Sequence, residues 1–526
     1  MVSDPEQSVE PSYRWVDSWV AVGVSVAALG LYIATLAPTV LEADGGEFQF
    51  VPWLPGIAHP TGYPLYVLLG WLWTHLLPLG EVAWRMNLLS AVLAAGAVGV
   101  TYGLARRVLD LAQPETPALG RVLAAVISAA TFAVTPTFWS QAIIAEVYAL
   151  HALFLSLIVY LVLGCKNNPP GCNLAGKWLA LTVGLSLTHH RTIILLFPAL
   201  LIFLWFTQRN SSAQIVNDNP TKTSSLLFIV HCSLLIVFPL LLYLYLPIIA
   251  PLTPYSTIRL SEAQTLTLYD NSFAGFWRHG LGSVFTGELK PAAAGLDRLW
   301  LTWRLLQQQV GWVGIGLAVA GLGVVWRRRQ IDLLWLTGLG FMAFVAFNLI
   351  YFIGDVFVLF IPAWLFVSIW IGLGLLGLAG ALAQAFVRGK TGSLRTNPTF
   401  GPLEQRLSRR IAAFMTISLV ILGGLLPMTL LIANYSRVDQ RANVVARDRW
   451  LTILSEPIPE GAILLSNDRN ELMPLWYYQY VEGRRPDLVG LFPLIVPEPA
   501  FANVGRVLDQ ALAAKRPVYF IKAMAG

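Results

Sequence analysis

ADGGEFQFVPWLPGIAHPTGYPLY, residues 43–66, follows directly on the first long apolar run of the chain, and its reading decides how the rest is read. Asp44, Glu47 and His59 stand just beyond a stretch able to cross a bilayer. Carboxylates at that depth are costly unless they serve chemistry, a pathway or a partner. The surrounding composition is that of a membrane protein: 56% of the 526 residues are hydrophobic and only 12% charged. Soluble domains carry roughly 25% charged residues. Mean hydropathy is +0.64. The 19 Trp suit interfacial belts, where the ring is apolar and the N–H stays wet. The net charge of +6 does not point to nucleic acid, because the basic residues fall mostly in short loops. Such loops set orientation instead.

A span needs about 20 largely apolar residues. Stretches near 16–37, 86–105, 120–137, 145–164, 177–188, 192–207, 225–247, 309–326, 331–350, 357–386 and 411–433 meet or approach that length. The sequence therefore predicts about eleven transmembrane helices, the fifth and sixth short enough to be one broken pair. No cleavable signal peptide is expected, so the first run is read as a retained helix. With the N-terminus inside, the cytoplasmic loops hold Arg106–Arg107, Lys166, Arg209 with Lys222, Arg327–Arg329 and Arg388 through Arg410. The alternate loops hold Asp44, Glu47, Glu146, Glu262, Asp270, Glu288 and Asp355. This one-sided split predicts N-in, C-out. Cys165 and Cys172 fall in a cytoplasmic loop and read as reduced; with Cys232 they make no disulfide framework.

The expected fold class is an all-α polytopic membrane bundle with a small extracytoplasmic α/β segment at the C-terminus. Residues 1–15 form a cytoplasmic tail and 16–433 the membrane domain. Its first outside loop is 38–85, and its second, 248–308, is rich in Thr, Ser and Tyr and reads as amphipathic surface helices. Within the first loop, Tyr63 to Leu77 is apolar but short, with Pro64 and Pro78 at its ends and His75 inside. It reads as an interfacial or re-entrant helix. In 434–526 the runs AILLSN (462–467), DLVGLF (487–492) and PVYFIK (517–522) look like buried strands, and 470–481 and 500–515 like helices. The chain stops soon after the last of these runs, so that fold is expected to need more sequence.

Asp44 and Glu47 are three apart. They share a face if the segment is helical, whereas Gly45–Gly46 favours a tight turn. Two adjacent carboxylates can activate a hydroxyl as a base, bind a cation, or cap a helix and pair with an Arg. His59 opens a rigid Pro/Gly passage that includes Tyr63; it suits either a substrate contact or a structural hydrogen bond. Arg85, in WRMNLLSA, can snorkel to headgroups or grip a phosphate by its planar fork. Glu146, in WSQAIIAEVYALH, suits a helix cap as well as a site, and Asp355 suits a cap. His189-His190-Arg191 interrupts an apolar stretch and suits an anionic headgroup. The His pair does not read as a zinc site, since neighbouring helical side chains diverge. No Walker, HExxH or GxSxG pattern occurs, which argues against a nucleotide-driven pump.

In chain order the motifs Asp44-Gly45-Gly46-Glu47, His59-Pro60-Thr61-Gly62-Tyr63-Pro64-Leu65-Tyr66, Trp84-Arg85-Met86-Asn87 and Glu146-Val147-Tyr148 resemble those of GT-C glycosyltransferases. They are similar to protein O-mannosyltransferases, in which an acidic pair in the first outside loop precedes an HPPLGK motif. The nearest pattern is DSGE, HPPGYPLY, WRxNLLSA, AEVYxLH, that of a bacterial branch of unknown function whose eukaryotic relatives are linked to protein O-mannosylation. The match covers about residues 30–200. The resemblance implies a multi-pass enzyme of the plasma (inner) membrane with its site outside. Its partners would be a polyprenyl-phosphate sugar donor, with mannose first in mind, an acceptor protein or glycolipid, and membrane lipid. The resemblance fixes no cofactor; a divalent metal is possible but not expected. Asp44 would be the base and Glu47 its helper. His59, Tyr63, Arg85, Asn87, Glu146, Tyr148, His189, His190 and Arg191 would bind substrate. The alternatives are a transporter or flippase of lipid-linked sugars, which would use the same groups as a pathway, and a non-catalytic assembly protein, which would not need Asp44.

Overall fold

The computed structural model describes residues 11–166, 174–212, 222–262, 264–293, 295–392, 402–494 and 499–523. Cys172 lies outside them. The first half is a helical bundle: α1 (Pro11–Ala34), α2 (Ala43–Phe50), α3 (Pro64–Leu76), α4 (Val82–Ala112), α5 (Ala118–Ala133), α6 (Pro136–Ala142), α7 (Tyr148–Gly164) and α8 (Leu174–Leu187). Among the described residues eight helices are long and apolar enough to cross a membrane. The bent pair α5–α6 is a ninth candidate, turned by 69° where Pro136 starts the second helix, and α7 and α8 are shorter apolar helices. Each stretch expected to span falls on one of these. α3, at 13 residues, does not reach spanning length and lies beside α4.

The bundle is organised around α4. Ala91, Ala94, Ala95, Ala97 and Val98 are buried along it, so α1, α5 and α7 approach closely. Between helices in lipid the apolar side chains gain nothing over lipid tails, and small residues that allow backbone approach supply the packing instead. One end of this bundle is tied by charges. Arg106 pairs with Asp17 and Asp110, Arg121 with Asp110, Arg328 with Glu115, and Lys166 with Asp332 at 2.5 Å. The residues singled out above collect at the opposite end, where α1 finishes and α4 begins.

The second long connection differs from expectation. It contains one amphipathic helix, Phe273–Gly280, but also a hairpin of β1 (Thr257–Arg259) and β2 (Thr265–Thr267), antiparallel with Ile258 opposite Leu266. The alternation of Thr with Ile and Leu is a strand period, which puts the apolar residues on one face. The C-terminal segment forms a parallel sheet of β3 (Ile463–Leu465), β4 (Val489–Leu491) and β5 (Val518–Phe520), with β3 in the middle. Met473–Tyr480 and Val504–Ala513 are its connecting helices. All three residues of β3 are buried, in keeping with its unbroken apolar sequence. This segment shares its core with the first loop of the bundle. Trp450, Met473, Trp476 and Tyr477 pack in one cluster with Phe48, Phe50 and Tyr66, and the Tyr477 hydroxyl accepts from the Ala83 N–H at 3.2 Å.

Candidate active site

The DGGE segment is a helix, so Asp44 and Glu47 do share a face. Ala43 enters α2 in the left-handed region (φ 59°), behind an extended Glu42. Gly46 is dictated by close approach: a Cβ there would strike the Leu41 carbonyl and lie 3.0 Å from Met473 Cβ. The helix can therefore lie flat against the C-terminal segment. At the other end of the loop, Gly62 (φ 82°) and Tyr63 (φ 44°) make a sharp left-handed turn, and Pro64 starts α3 in the first-turn position that proline tolerates. That turn brings His59 back over α2.

Glu47 is locked. Its Oε1 accepts from the His59 backbone N–H at 2.9 Å, and its Oε2 meets His59 Nδ1 at 2.5 Å and the Arg469 guanidinium. Asp44 is held more lightly. Its Oδ1 lies 3.1 Å from Arg469 Nη1 and 3.8 Å from His59 Nδ1, while its Oδ2 has no hydrogen-bond partner among the described residues. The side chains are 36% exposed for Asp44 and 5% for Glu47, so Asp44 is the carboxylate open to a ligand. Burial by itself would raise the Glu47 carboxyl, but the charges of Arg469 and His59 outweigh it and hold it well below the usual carboxylate range. Burial would lower His59; the charges of Asp44 and Glu47 outweigh that and hold it above its ordinary value.

These groups line a cavity of about 930 Å³. Tyr63, Glu146, Tyr148, His190, Arg191 and Asp355 are also on its wall. Burial, reinforced by Asp44 and Asp355, pushes the Glu146 carboxyl well above its ordinary value. Burial, with His189 and His59 adding, pushes His190 down to about 3, so its ring is neutral; its Nδ1 pairs with the Thr192 hydroxyl at 2.7 Å. Arg191 has no ion-pair partner among the described residues. Asp355 makes no side-chain capping bond. The wall thus carries acids able to hydrogen-bond hydroxyl groups and, among the described residues, an unpaired cation.

Of the residues expected from sequence, Asp44, Glu47, His59, Tyr63, Glu146, Tyr148, His190 and Arg191 meet here, and Arg85, Asn87 and His189 do not. Arg85 spends its guanidinium on the carbonyls of Leu79, Thr74 and Gly80, fastening the end of α3. Asn87 is fully buried, donating to Ala37 O and accepting from Gln49 and the Ala145 N–H. His189 is spent on Val147 O at 2.8 Å and stacks on Tyr66. An unmet buried polar group costs about 1–3 kcal/mol. Asn87→Ala orphans the Ala37 carbonyl and the Ala145 N–H, while Gln49 keeps its bond to Thr39 O, so it should lower the melting temperature in detergent markedly, and Arg85→Ala should do so modestly. An unchanged melting temperature in Arg85→Ala would return that residue to the candidates for the site. The residues that sequence reading missed are Arg469, Tyr255, His279 and Trp476, all on the cavity wall. Arg469 follows β3 in SNDRNEL, and the carboxyl end of a parallel strand is where α/β sheets place ligands. That was the available signal.

A family model described as the protein O-mannosyl-transferase TMEM260 N-terminal domain matches residues 44–213. It opens on Asp44 and ends well before Arg469. The chain is 25% identical over 489 residues to the protein O-mannosyl-transferase TMEM260 of Mus musculus, covering 89% of this chain and 61% of that protein. It is 22% identical over 494 residues to the protein of that name from Dictyostelium discoideum, covering 87% and 55%. The chain therefore spans 55–61% of the length of these relatives. Its backbone superposes on ArnT from Cupriavidus metallidurans bound to undecaprenyl phosphate with a TM-score of 0.53, at 15% identity, over 96% of this chain and 90% of that one. The chain is thus a multi-pass membrane protein with the fold of ArnT, similar in sequence to the protein O-mannosyl-transferases.

Proposed function

We propose that the protein is a membrane glycosyltransferase that moves a sugar, mannose in the first instance, from a polyprenyl-phosphate donor to a hydroxyl of an exported protein or lipid-linked glycan. The observation that carries this reading is Asp44: one oxygen is pinned by Arg469 and the other opens on a cavity large enough for a sugar and an acceptor side chain. Asp44 takes the proton of the acceptor hydroxyl as that oxygen bonds to the anomeric carbon. The bond from that carbon to the phosphate oxygen breaks on the opposite face, and polyprenyl phosphate departs with the electron pair, giving inversion. Glu146 and Asp355 hold sugar hydroxyls. Arg191 meets the phosphate, where a fixed cation offsets the charge that develops on the leaving group. Val284, Phe285, Leu289, Phe347, Phe357 and Leu359 form the apolar side of the cavity and suit the first isoprene units. The N-terminus lies in the cytoplasm and the site opens outside the plasma membrane. The undecaprenyl phosphate bound to ArnT supports a polyprenyl-phosphate carrier, and the relatives' names support mannose and a protein acceptor.

The test is transfer of label from a polyprenyl-phosphate mannose to a Ser/Thr acceptor peptide by the purified chain in nanodiscs. Arg191→Ala should raise the donor concentration at half-maximal rate about tenfold or more, since charge-assisted hydrogen bonds contribute roughly 1.5–3 kcal/mol. An unchanged donor requirement would remove Arg191 from the phosphate.

A further inference from the structure

Arg469, the cation on the Asp44–Glu47 pair, comes from the C-terminal segment and not from the membrane bundle. It comes from the short 3₁₀ turn Arg469–Leu472 that follows β3, and a hydrogen-bonded frame holds that turn in place. The Asp468 carboxylate caps it by accepting from the Asn470 N–H at 2.9 Å. Ser466 Oγ donates to Glu471 at 2.6 Å, Lys522 Nζ donates to the same carboxylate at 2.7 Å, and Trp450 Nε1 donates to the Glu471 carbonyl at 3.0 Å. Arg449 spans the joint, 3.2 Å from Glu42 just ahead of α2 and 3.6 Å from Glu471. The frame ties β3, β5 and the helix Val445–Ser455 to the entrance of α2, and it presents one guanidinium to two carboxylates at once.

The position of that guanidinium is chemically specific. Asp44, Glu47 and His59 bring one ligand atom each to within 4.8 Å of one another, the spacing of an O,O,N metal site. Arg469 bonds both carboxylates of that set, Nη1 to Asp44 and Nη2 to Glu47. An arginine fork delivers positive charge and two directed donors in one rigid plane. Two carboxylates three residues apart on a helix would otherwise repel, and a divalent cation or a protein cation must offset that. The third member of the set is engaged as well, His59 Nδ1 lying 2.5 Å from Glu47 Oε2 and 3.8 Å from Asp44 Oδ1.

We propose that Arg469 is the positioning residue of the Asp44–Glu47 pair, standing where a divalent cation would otherwise sit, so that docking of the C-terminal segment completes the site. The proposal rests on the glycosyltransferase reading for what the pair does, but the position of Arg469 and the exclusion of metal do not depend on it. Arg469 fixes the Asp44 carboxylate through one oxygen and leaves the other for the acceptor hydroxyl. The site is built without metal because the protein carries the cation itself.

The experiment measures Mn²⁺ binding by electron paramagnetic resonance on the full chain in nanodiscs, with label transfer in parallel. The wild type is expected to bind no Mn²⁺ at this set at 100 µM, on the order of a weak carboxylate site, and to keep its transfer rate in a chelator. Arg469→Ala is expected to gain Mn²⁺ binding that Asp44→Asn removes, and to lose about 10²-fold or more in turnover. Millimolar guanidinium should restore part of that turnover, as a merely structural loss would not. Arg469→Lys, which keeps the charge and loses the fork, should fall between them and keeps the test open if Arg469→Ala misfolds. Wild-type Mn²⁺ binding abolished by Asp44→Asn would overturn the proposal, as would an Arg469→Ala protein that folds and neither gains Mn²⁺ nor loses turnover. Transfer that fails in every protein while the Mn²⁺ pattern holds would sink the proposed function and leave Arg469 in its place.

Discussion

Asp44→Asn is expected to cut transfer by roughly 10²–10⁴-fold, the range of a lost general base, with little change in melting temperature. The amide is nearly isosteric with the carboxylate. Its oxygen can keep the contact to Arg469 that Asp44 Oδ1 makes at 3.1 Å. The side chain is the more exposed of the pair, so neutralising it leaves less buried charge uncompensated than at Glu47. The amide cannot take a proton at neutral pH, and that is the function assigned to it. Label transfer by purified variants in nanodiscs decides the matter. Near wild-type turnover in Asp44→Asn would end the base assignment and most of the case for this site.

Glu47→Gln should show the reverse balance: a larger loss of stability and a smaller loss of turnover. Glu47 is buried between His59 and Arg469, and removing one member of a buried ion pair costs about 3–5 kcal/mol because its partner is left charged and unmatched. The pH dependence provides a second check. The Glu47 carboxyl sits well below its ordinary value of 4.5 in the folded protein. A group depressed in this way contributes stability that is fully present above its unfolded value and is lost as pH falls toward the folded one. The wild type should therefore lose stability on acidification below about pH 4.5, and Glu47→Gln should lack that contribution. Melting temperatures in detergent from about pH 7 down to about pH 3, which takes in the upper part of that loss, measure both effects. Equal losses of turnover in Asp44→Asn and Glu47→Gln, both restored by added Mn²⁺, would mean that the carboxylates hold a metal and that Arg469 does not serve in its stead.

Local pattern was enough for most of the elements. The apolar runs mark the helices because a spanning segment must satisfy its backbone internally and show lipid an apolar surface. AILL and LVGLF mark β3 and β4 because strands of a parallel sheet are buried on both faces, whereas β5, read from sequence as buried, lies at the sheet's edge and leaves Tyr519 and Phe520 exposed. The hairpin of Thr257–Arg259 and Thr265–Thr267 escaped because three-residue strands in a Thr-rich loop have too short a period to stand out. The motif residues before position 200 are also legible, since Asp44, Glu47, His59, Tyr63, Glu146, Tyr148, His190 and Arg191 do converge on one cavity.

Tertiary structure alone separated the residues that face that cavity from their neighbours. Arg85, Asn87 and His189 have the right chemistry and depth, but unmet backbone carbonyls and amides lie within their reach and consume them. Whether a polar side chain answers to substrate or to its own backbone depends on partners far away in sequence. The same holds for Arg469, 425 residues from Asp44, whose role follows from the shared core that brings β3 against α2. Periodicity and motif spacing report what a segment can become, whereas the pairing of one guanidinium with two carboxylates is a property of packing between segments.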